Sequence, residues 1–365
     1  MSDVLRAISF DDIKAWRDHD FNGALHAFQR SAQEIITSAA GFKRPVRFGG
    51  KREDWLPACR ESLTTKDPAG FFNTAFLPFQ VIDTDRPQGL FTGYFEPEAN
   101  GSLVATDEFK VPVYRKPQDL VAFTTDEQLL CKLAYGRRTS TGPAPYFTRQ
   151  QIEQGALQNL DLEICWLKHW ADAFFMQIQG SGRVSLPDGR VLRLSYGAKS
   201  GHPYQSIGAV LVERGIFTPE TVSMQSLRRW MAQHPEASRA LMWQNKSFVF
   251  FQTIIVDDPG LGAVGAGKVN LTPLRSLAVD RSHWAFGTPV WLDTTTPAEA
   301  PDGIQPLQRL MIAQDTGSAI KGLVRGDVYW GWGKTAALIA GHMKSAGRMT
   351  VLLPKPLALR MSGGA

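Results

Sequence analysis

The sequence predicts a mainly β protein with helices at its N-terminus and between its strands, divided into two domains. Three observations carry the prediction. The last third is a series of short apolar runs separated by turn residues, the spacing of a small barrel. The first forty or so residues repeat apolar side chains near helical spacing instead. A chain of 365 residues is also long for one core.

In chain order, Ser9 followed by Asp12 forms a capping-box-like start, and Ile13, Trp16, Phe21, Leu25 and Phe28 continue it as a helix. The pattern breaks before Gly41, and a basic, proline-bearing stretch from Lys43 to Arg52 follows. Leu90-Phe-Thr-Gly-Tyr-Phe-Glu-Pro97 reads as a strand closed by proline. Val111-Pro-Val-Tyr114 reads as an edge strand, since proline cannot donate to a central ladder. Thr148 with Gln151 forms a second capping box. Pro187-Asp-Gly189 between Arg183-Val-Ser-Leu and Arg190-Val-Leu-Arg-Leu signals a hairpin. Tyr204 to Arg214 is a helix stopped by Gly215, and Thr218 to Asn245 is helical with a break at Pro235. Phe248-Val-Phe-Phe, Thr288-Pro-Val-Trp-Leu, Arg309-Leu-Met-Ile-Ala, Asp327-Val-Tyr-Trp and Met349-Thr-Val-Leu-Leu are the strand candidates of the last third.

Composition narrows the classes. Hydrophobic residues at 43% and charged residues at 21% are those of a globular protein. A net charge of +5 suits an anionic polymer, but no Lys/Arg run interleaved with aromatics supports nucleic-acid binding. Cys59, Cys131 and Cys165 form no CxxC pair and are expected to be buried free thiols. No apolar run approaches the ~20 residues of a membrane helix. Met1-Ser-Asp-Val-Leu-Arg lacks a signal-peptide pattern, which by itself places the chain in the cytoplasm.

Two motifs mislead. Gly262-Ala-Val-Gly-Ala-Gly-Lys268 matches the start of a phosphate-binding loop. The next place must be Ser or Thr to ligate magnesium, and it is Val269. Asp315-Thr-Gly-Ser resembles the tripeptide of aspartic proteases, which need two such carboxylates sharing a proton; the chain has one Asp-Thr-Gly. His169, His202, His283 and His342 form no metal-ligand pattern, and neither a metal nor a cofactor is expected. Carboxylates remain. Asp280, Asp293, Asp315 and Asp327 all lie at the edges of apolar runs, where Asp is ordinarily a turn former. Gly317, Gly322 and Gly326 allow Asp315 and Asp327 to face each other, and Tyr329, Trp330 and Trp332 bring aromatics beside them.

Asp315-Thr-Gly-Ser-Ala-Ile-Lys-Gly322 with Arg325-Gly-Asp-Val-Tyr-Trp-Gly-Trp-Gly333, preceded by Asp280 in Ala278-Val-Asp-Arg-Ser-His-Trp, resembles the three-aspartate module of the membrane-bound lytic murein transglycosylase A family. Phe91-Thr-Gly-Tyr-Phe-Glu-Pro97, Phe175-Met-Gln-Ile-Gln-Gly-Ser-Gly182, Leu194-Ser-Tyr-Gly-Ala-Lys-Ser-Gly-His-Pro-Tyr204 and Gln244-Asn-Lys-Ser-Phe-Val-Phe-Phe251 are similar to it as well. The resemblance implies a double-psi β-barrel from residues 1–104 and 240–365, and an inserted β-domain of residues 105–239 forming the other wall of a glycan groove. It implies peptidoglycan glycan strands as substrate and a periplasmic, outer-membrane-associated location. It assigns Asp327 as catalytic, Asp315 as the neighbour that tunes it, and Asp280 as a loop-holding residue. Thr92, Tyr94, Gln179, Gly180 and Ser181 are the expected sugar contacts.

Ordinary glycosidases use two carboxylates ~5–5.5 Å or ~6.5–9.5 Å apart. A lytic transglycosylase needs no water, because the C6 hydroxyl of N-acetylmuramic acid attacks its own C1. Such tethering is worth an effective molarity of about 10⁵ M or more, so one side chain can serve as acid and then base. That carboxyl must start protonated, which burial or a charged neighbour promotes. A hydrolytic muramidase and a non-catalytic wall-binding protein are the alternatives. The first yields a product with a reducing end, and the second leaves glycan whole.

Overall fold

The computed structural model describes residues 4–38, 40–86, 88–256 and 258–361. Met1–Asp3 of the expected leaderless start lie outside them. The chain forms two compact units, Met1–Phe95 with Asp258–Ala365 and Glu96–Asp257. Among the described residues no helix is long and apolar enough to cross a membrane.

The first segment runs β1 (Leu5–Ala7), α1 (Asn22–Thr37), α2 (Arg52–Ser62), α3 (Pro68–Ala75), β2 (Phe76–Val81) and β3 (Gly89–Glu96). The Ser9 capping box exists, but it starts only a 3-10 turn, Phe10–Asp12. Ala15 then takes a left-handed φ of 59°, so the long helix begins at Asn22 and not at Ile13. Ile13, Trp16 and Phe21 are nevertheless buried with Leu25 and Phe28, in a cluster that also holds Trp291, Leu310 and Ile312. Side chains of this size contribute about 1.5–3 kcal/mol each when fully buried.

The second unit runs β4 (Glu98–Ser102), β5 (Val111–Tyr114), β6 (Val121–Ala122), α4 (Thr125–Cys131), β7 (Tyr135–Thr139), β8 (Gly142–Ala144), α5 (Arg149–Gln151), β9 (Glu163–Leu167), α6 (Trp170–Gln179), β10 (Ser181–Ser185), β11 (Val191–Lys199), α7 (Ile207–Glu213), α8 (Met224–Gln233), α9 (Pro235–Gln244) and β12 (Val249–Ile254). Its main sheet has the order β12-β11-β10-β4-β9-β5, and β6-β7-β8 form a small second sheet. β5, with its proline, is an edge strand as expected. β10 and β11 form the hairpin around Gly189, which has a φ of 84°. Pro235 opens α9, so it divides the helical stretch at His234. β4 and β12 are hydrogen-bonded into this sheet, so the unit is wider than residues 105–239 at both ends. The buried Arg149 guanidinium donates to the Asn245 and Ser247 carbonyls and pairs with Glu153, which holds the motif around residue 245 in place. Glu96, fully buried, pairs with Arg183 and Arg193.

The chain then returns to the first unit with β13 (Ser276–Val279), β14 (Pro289–Thr295), β15 (Pro306–Asp315), β16 (Arg325–Trp332), α10 (Gly333–His342), β17 (Lys344–Pro354) and α11 (Lys355–Met361). The sheet order is β1-β2-β17-β14-β15-β13-β16-β3, and β17 also pairs with β3. One sheet face buries Phe91, Leu277, Val279, Met311, Ala313 and Val328. The architecture is sheet-rich and mixed, with helices packed on it. Cys59 and Cys165 are buried free thiols, pushed up to about 12 by burial, and Cys131 is partly exposed.

Candidate active site

The site is built where β15, β13 and β16 lie side by side. Ala278 on β13 is opposite Asp315 on one side and Asp327 on the other. Two strand spacings put the two aspartate Cα atoms ~10 Å apart, on one row across the sheet. Strict alternation along β15 would send Asp315 into the core with Met311 and Ala313. The β13–β15 register slips between Leu277 and Ala278, so Gln314 is passed over and Asp315 joins the face of Ala278. Gln314, released from the ladder pattern, is buried and donates to the Ala27 carbonyl and Ser31 hydroxyl of α1.

β3 supplies the partners. Thr92 and Tyr94 are two residues apart and share a face. Thr92 Oγ1 donates to Asp327 Oδ1 at 2.6 Å, and Tyr94 Oη donates to Asp315 Oδ2 at 3.0 Å. Asp315 Oδ1 also accepts the Ala266 and Thr316 amides, both at 2.9 Å. Asp315 thus accepts three donors, one on Oδ2 and two on Oδ1. Arg325, on the same face of β16 as Asp327, donates to Thr92 Oγ1 at 2.8 Å. Among the described residues Thr92 is the one hydrogen-bond partner of the Asp327 carboxyl.

Tyr94, Leu271, Ala278, Ile320 and Tyr329 form an apolar cluster on this face of the sheet. Burial raises the Asp327 carboxyl above its ordinary range. The Arg325 charge and the Thr92 hydrogen bond oppose the rise, and the Asp315 charge adds to it. Asp315 is raised too, by burial, against its two amide donors and Tyr94. Burial and the two carboxylates push the Tyr94 hydroxyl well above its usual value.

Of the expected aromatics, Tyr329 lies on the Asp327 face and is fully buried, 5.2 Å from Tyr94 between ring centroids. It desolvates the site and offers no face to a sugar. Trp330 is a correction: alternation turns it to the opposite face, against the main core. Trp332 precedes α10 as its N-cap.

Asp280 is 3% exposed. It accepts the Ser282 amide and hydroxyl on Oδ1 and the Gly322 amide on Oδ2. Burial works to raise its pKa, but these donors and the Lys321 charge hold it below the ordinary value. It ties the loop between β15 and β16 to the end of β13. Asp293 binds Gln308 across β14 and β15 instead.

Gln179, Gly180 and Ser181 lie in the second unit. Gly180 ends α6 at a φ of 79°, its amide bonded to the Met176 carbonyl, and Ser181 opens β10.

Sequence reasoning missed Arg325 and the Ala266 amide. Arg325 stands two residues before Asp327, so the strand period alone places it on the same face. Ala266 sits in the phosphate-loop look-alike, whose amides are used internally. Gly265 donates to the Val269 carbonyl, Gly267 to the Gln314 carbonyl, and Lys268 to the Gly265 carbonyl. The loop grips Asp315 and leaves no cradle of free amides for a phosphate.

Asp315 with three donors stands beside Asp327 with one, and burial raises both carboxyls toward protonation. Residues 90–252 match the MltA specific insert domain, and residues 275–353 match the 3D domain. The chain is 34% identical to the membrane-bound lytic murein transglycosylase A of Vibrio cholerae over 88% of this chain and 80% of that protein. It is 35% identical to that of Escherichia coli K12 over 75% of this chain and 68% of that protein. Among solved structures, a membrane-bound lytic murein transglycosylase from Agrobacterium tumefaciens superposes with a TM-score of 0.87 at 32% identity, covering 98% of this chain and 99% of that one. E. coli MltA with bound chitohexaose superposes at 0.69 and 27% identity, covering 97% and 95%. The chain belongs to the membrane-bound lytic murein transglycosylase A family.

Proposed function

We propose that this protein is a lytic transglycosylase that cleaves the β-1,4 bond between N-acetylmuramic acid and N-acetylglucosamine in peptidoglycan, with Asp327 as its single acid/base. The observation that carries the reading is the inequality of the two carboxyls. Asp315 accepts three donors, one on Oδ2 and two on Oδ1, and these oppose the rise that burial gives its pKa. Asp327 accepts from Thr92 on one oxygen and has its pKa raised by burial and by the Asp315 charge. With one donor against three, and with the Asp315 charge adding to its rise, Asp327 is the carboxyl that keeps a proton in this reading.

Asp327 gives this proton to the glycosidic oxygen, and N-acetylglucosamine leaves as an alcohol. The C6 hydroxyl then bonds to C1 of the muramic residue while the Asp327 carboxylate takes its proton, which restores the starting acid. Thr92 and Arg325 orient the carboxyl through the 2.6 Å and 2.8 Å hydrogen bonds. Asp280 holds the loop between β15 and β16. Gln179, Gly180 and Ser181 of the second unit are sugar contacts in this reading, with Thr92 and Tyr94 doubling as site residues.

The first unit reads as a double-psi barrel, supported by the run of pairings β3-β17-β14-β15-β13-β16-β3. The second unit reads as the inserted β-domain. Relatives named membrane-bound support a periplasmic, membrane-associated location, and outer-membrane attachment is the finer form of that reading.

The test is mass spectrometry of the soluble products from purified murein sacculi. Fragments ending in 1,6-anhydro-N-acetylmuramic acid are expected. Fragments heavier by one water identify a hydrolase, and intact glycan with retained binding identifies a wall-binding protein. Asp327→Asn should cut turnover by about 10²–10⁴-fold, the usual contribution of a general acid/base, with chitohexaose binding kept. Retained activity in that variant rejects the assignment.

A further inference from the structure

A charged cavity lies in the first unit beside Asp315. It has a volume of about 500 Å³ and opens between α1 and the loop that grips this residue. Arg44, Lys268 and Arg281 line it. Among the described residues none of the three forms an ion pair. Arg281 donates to the Gly41 and Trp284 carbonyls and stacks on Phe286 at 4.1 Å, so its charge is fixed in place but not neutralised. Burial and the nearby Arg44 charge both lower its pKa. One acid, Glu34, also lines the cavity, and its Oε1 is buried without a hydrogen-bond partner. Phe42 and Phe286 complete an apolar wall.

These features specify a ligand. Three cations against one carboxylate call for more than one anionic group, and the unpartnered Glu34 oxygen calls for an N–H donor. The amides of the neighbouring loop are engaged internally, so phosphate recognition of the helix-terminus or nest type is absent. N-acetylglucosamine carries no charge and N-acetylmuramic acid at most one carboxylate, which is tied up as an amide where a stem is attached, so the sugars alone do not meet the demand. A peptide with free carboxylates, amide or ammonium donors and short aliphatic side chains meets all of it. Ala266 and Thr316 line the cavity, and their amides bind Asp315 Oδ1. A ligand here is therefore one residue away from the catalytic row, which suits a group attached to the same substrate.

We propose that this cavity binds the carboxylate-bearing peptide stem of peptidoglycan through Arg44, Lys268 and Arg281, with Glu34 taking an N–H of the stem. The inference rests on the peptidoglycan reading above and adds a peptide-recognition step to it.

The experiment compares two substrates: glycan strands that carry stems, and the same strands stripped by an amidase. The enzyme is tested beside the variant Arg44→Gln/Lys268→Gln. Both side chains are exposed, so the variant retains the fold. The expected result is a KM about tenfold higher for the variant on stem-bearing strands, with kcat unchanged, and equal kinetics on stripped strands. Equal kinetics on both substrates, or an equal loss on both, overturns the proposal. Calorimetric titration with a soluble stem tetrapeptide separates this failure from failure of the catalytic reading. If the wild type releases no anhydro product, tetrapeptide binding that weakens in the variant still supports the site, and no binding to the wild type overturns it.

Discussion

At the scale of single residues, the site depends on which oxygen is already taken. Thr92 donates to one oxygen of Asp327 and receives from Arg325. The Arg325 charge and the Thr92 hydrogen bond both hold the Asp327 pKa down against burial. Removing either lets it rise further. Thr92→Val and Arg325→Gln should therefore move the alkaline limb of the kcat–pH profile upward, because Asp327 keeps its proton to higher pH. Each should also lower kcat about tenfold through lost orientation of the carboxyl. A purely structural role would lower stability and leave the limb where it was. Asp327 and Asp315 themselves were legible in the sequence, through a spaced motif. The Ala266 amide was not, because a main-chain donor leaves no trace in residue identity.

At the scale of elements, β3 works because Gly93 separates Thr92 from Tyr94. A Cβ at residue 93 would lie 2.7 Å from the Ala340 Cα and 2.8 Å from the Trp330 ring. Gly93→Ala should thus destabilise the protein by about 1–3 kcal/mol, the usual cost of overpacking, and shift both site hydroxyls. The check is a lower denaturation midpoint together with reduced turnover; an unchanged midpoint means the α10 contact yields freely. Capping boxes at Thr148 and around Ser9, the Gly189 hairpin and the Pro235 break could be read locally, since each is a contract between residues a few places apart. The bulge at Gln314 could not be. It depends on pairing between strands more than thirty residues apart, and it alone decides which face Asp315 occupies.

At the scale of the whole molecule, the two half-buried carboxyls of the site weigh against stability at neutral pH. Asp315 and Asp327 have raised pKa values in the folded chain, so above the ordinary aspartate value near 3.8 the native state holds protons that the unfolded state releases. Their contribution therefore falls as pH rises from that value through the folded pKa. Asp280 has the opposite sign: its lowered pKa gives stability that is present above 3.8 and is lost as pH falls through the folded value. Asp327→Asn should raise Tm at pH 7 by on the order of 2 °C, with the gain vanishing near pH 4. A Tm difference that does not depend on pH would mean that the desolvated charge is not its source.

The sequence by itself determined the family and the elements with local signals, such as the Thr148 capping box, the Gly189 hairpin and the break at Pro235, because these rest on residue identity and on neighbours along the chain. Only the tertiary structure decided the width of the second unit, the opposite faces of Tyr329 and Trp330 at the site, the engagement of the glycine-rich loop with Asp315, and the charged cavity beside it. Strand register, burial and the competition among donors for one carboxylate are properties of residues far apart in the chain. They come into being only when β3, β13, β15 and β16 lie side by side.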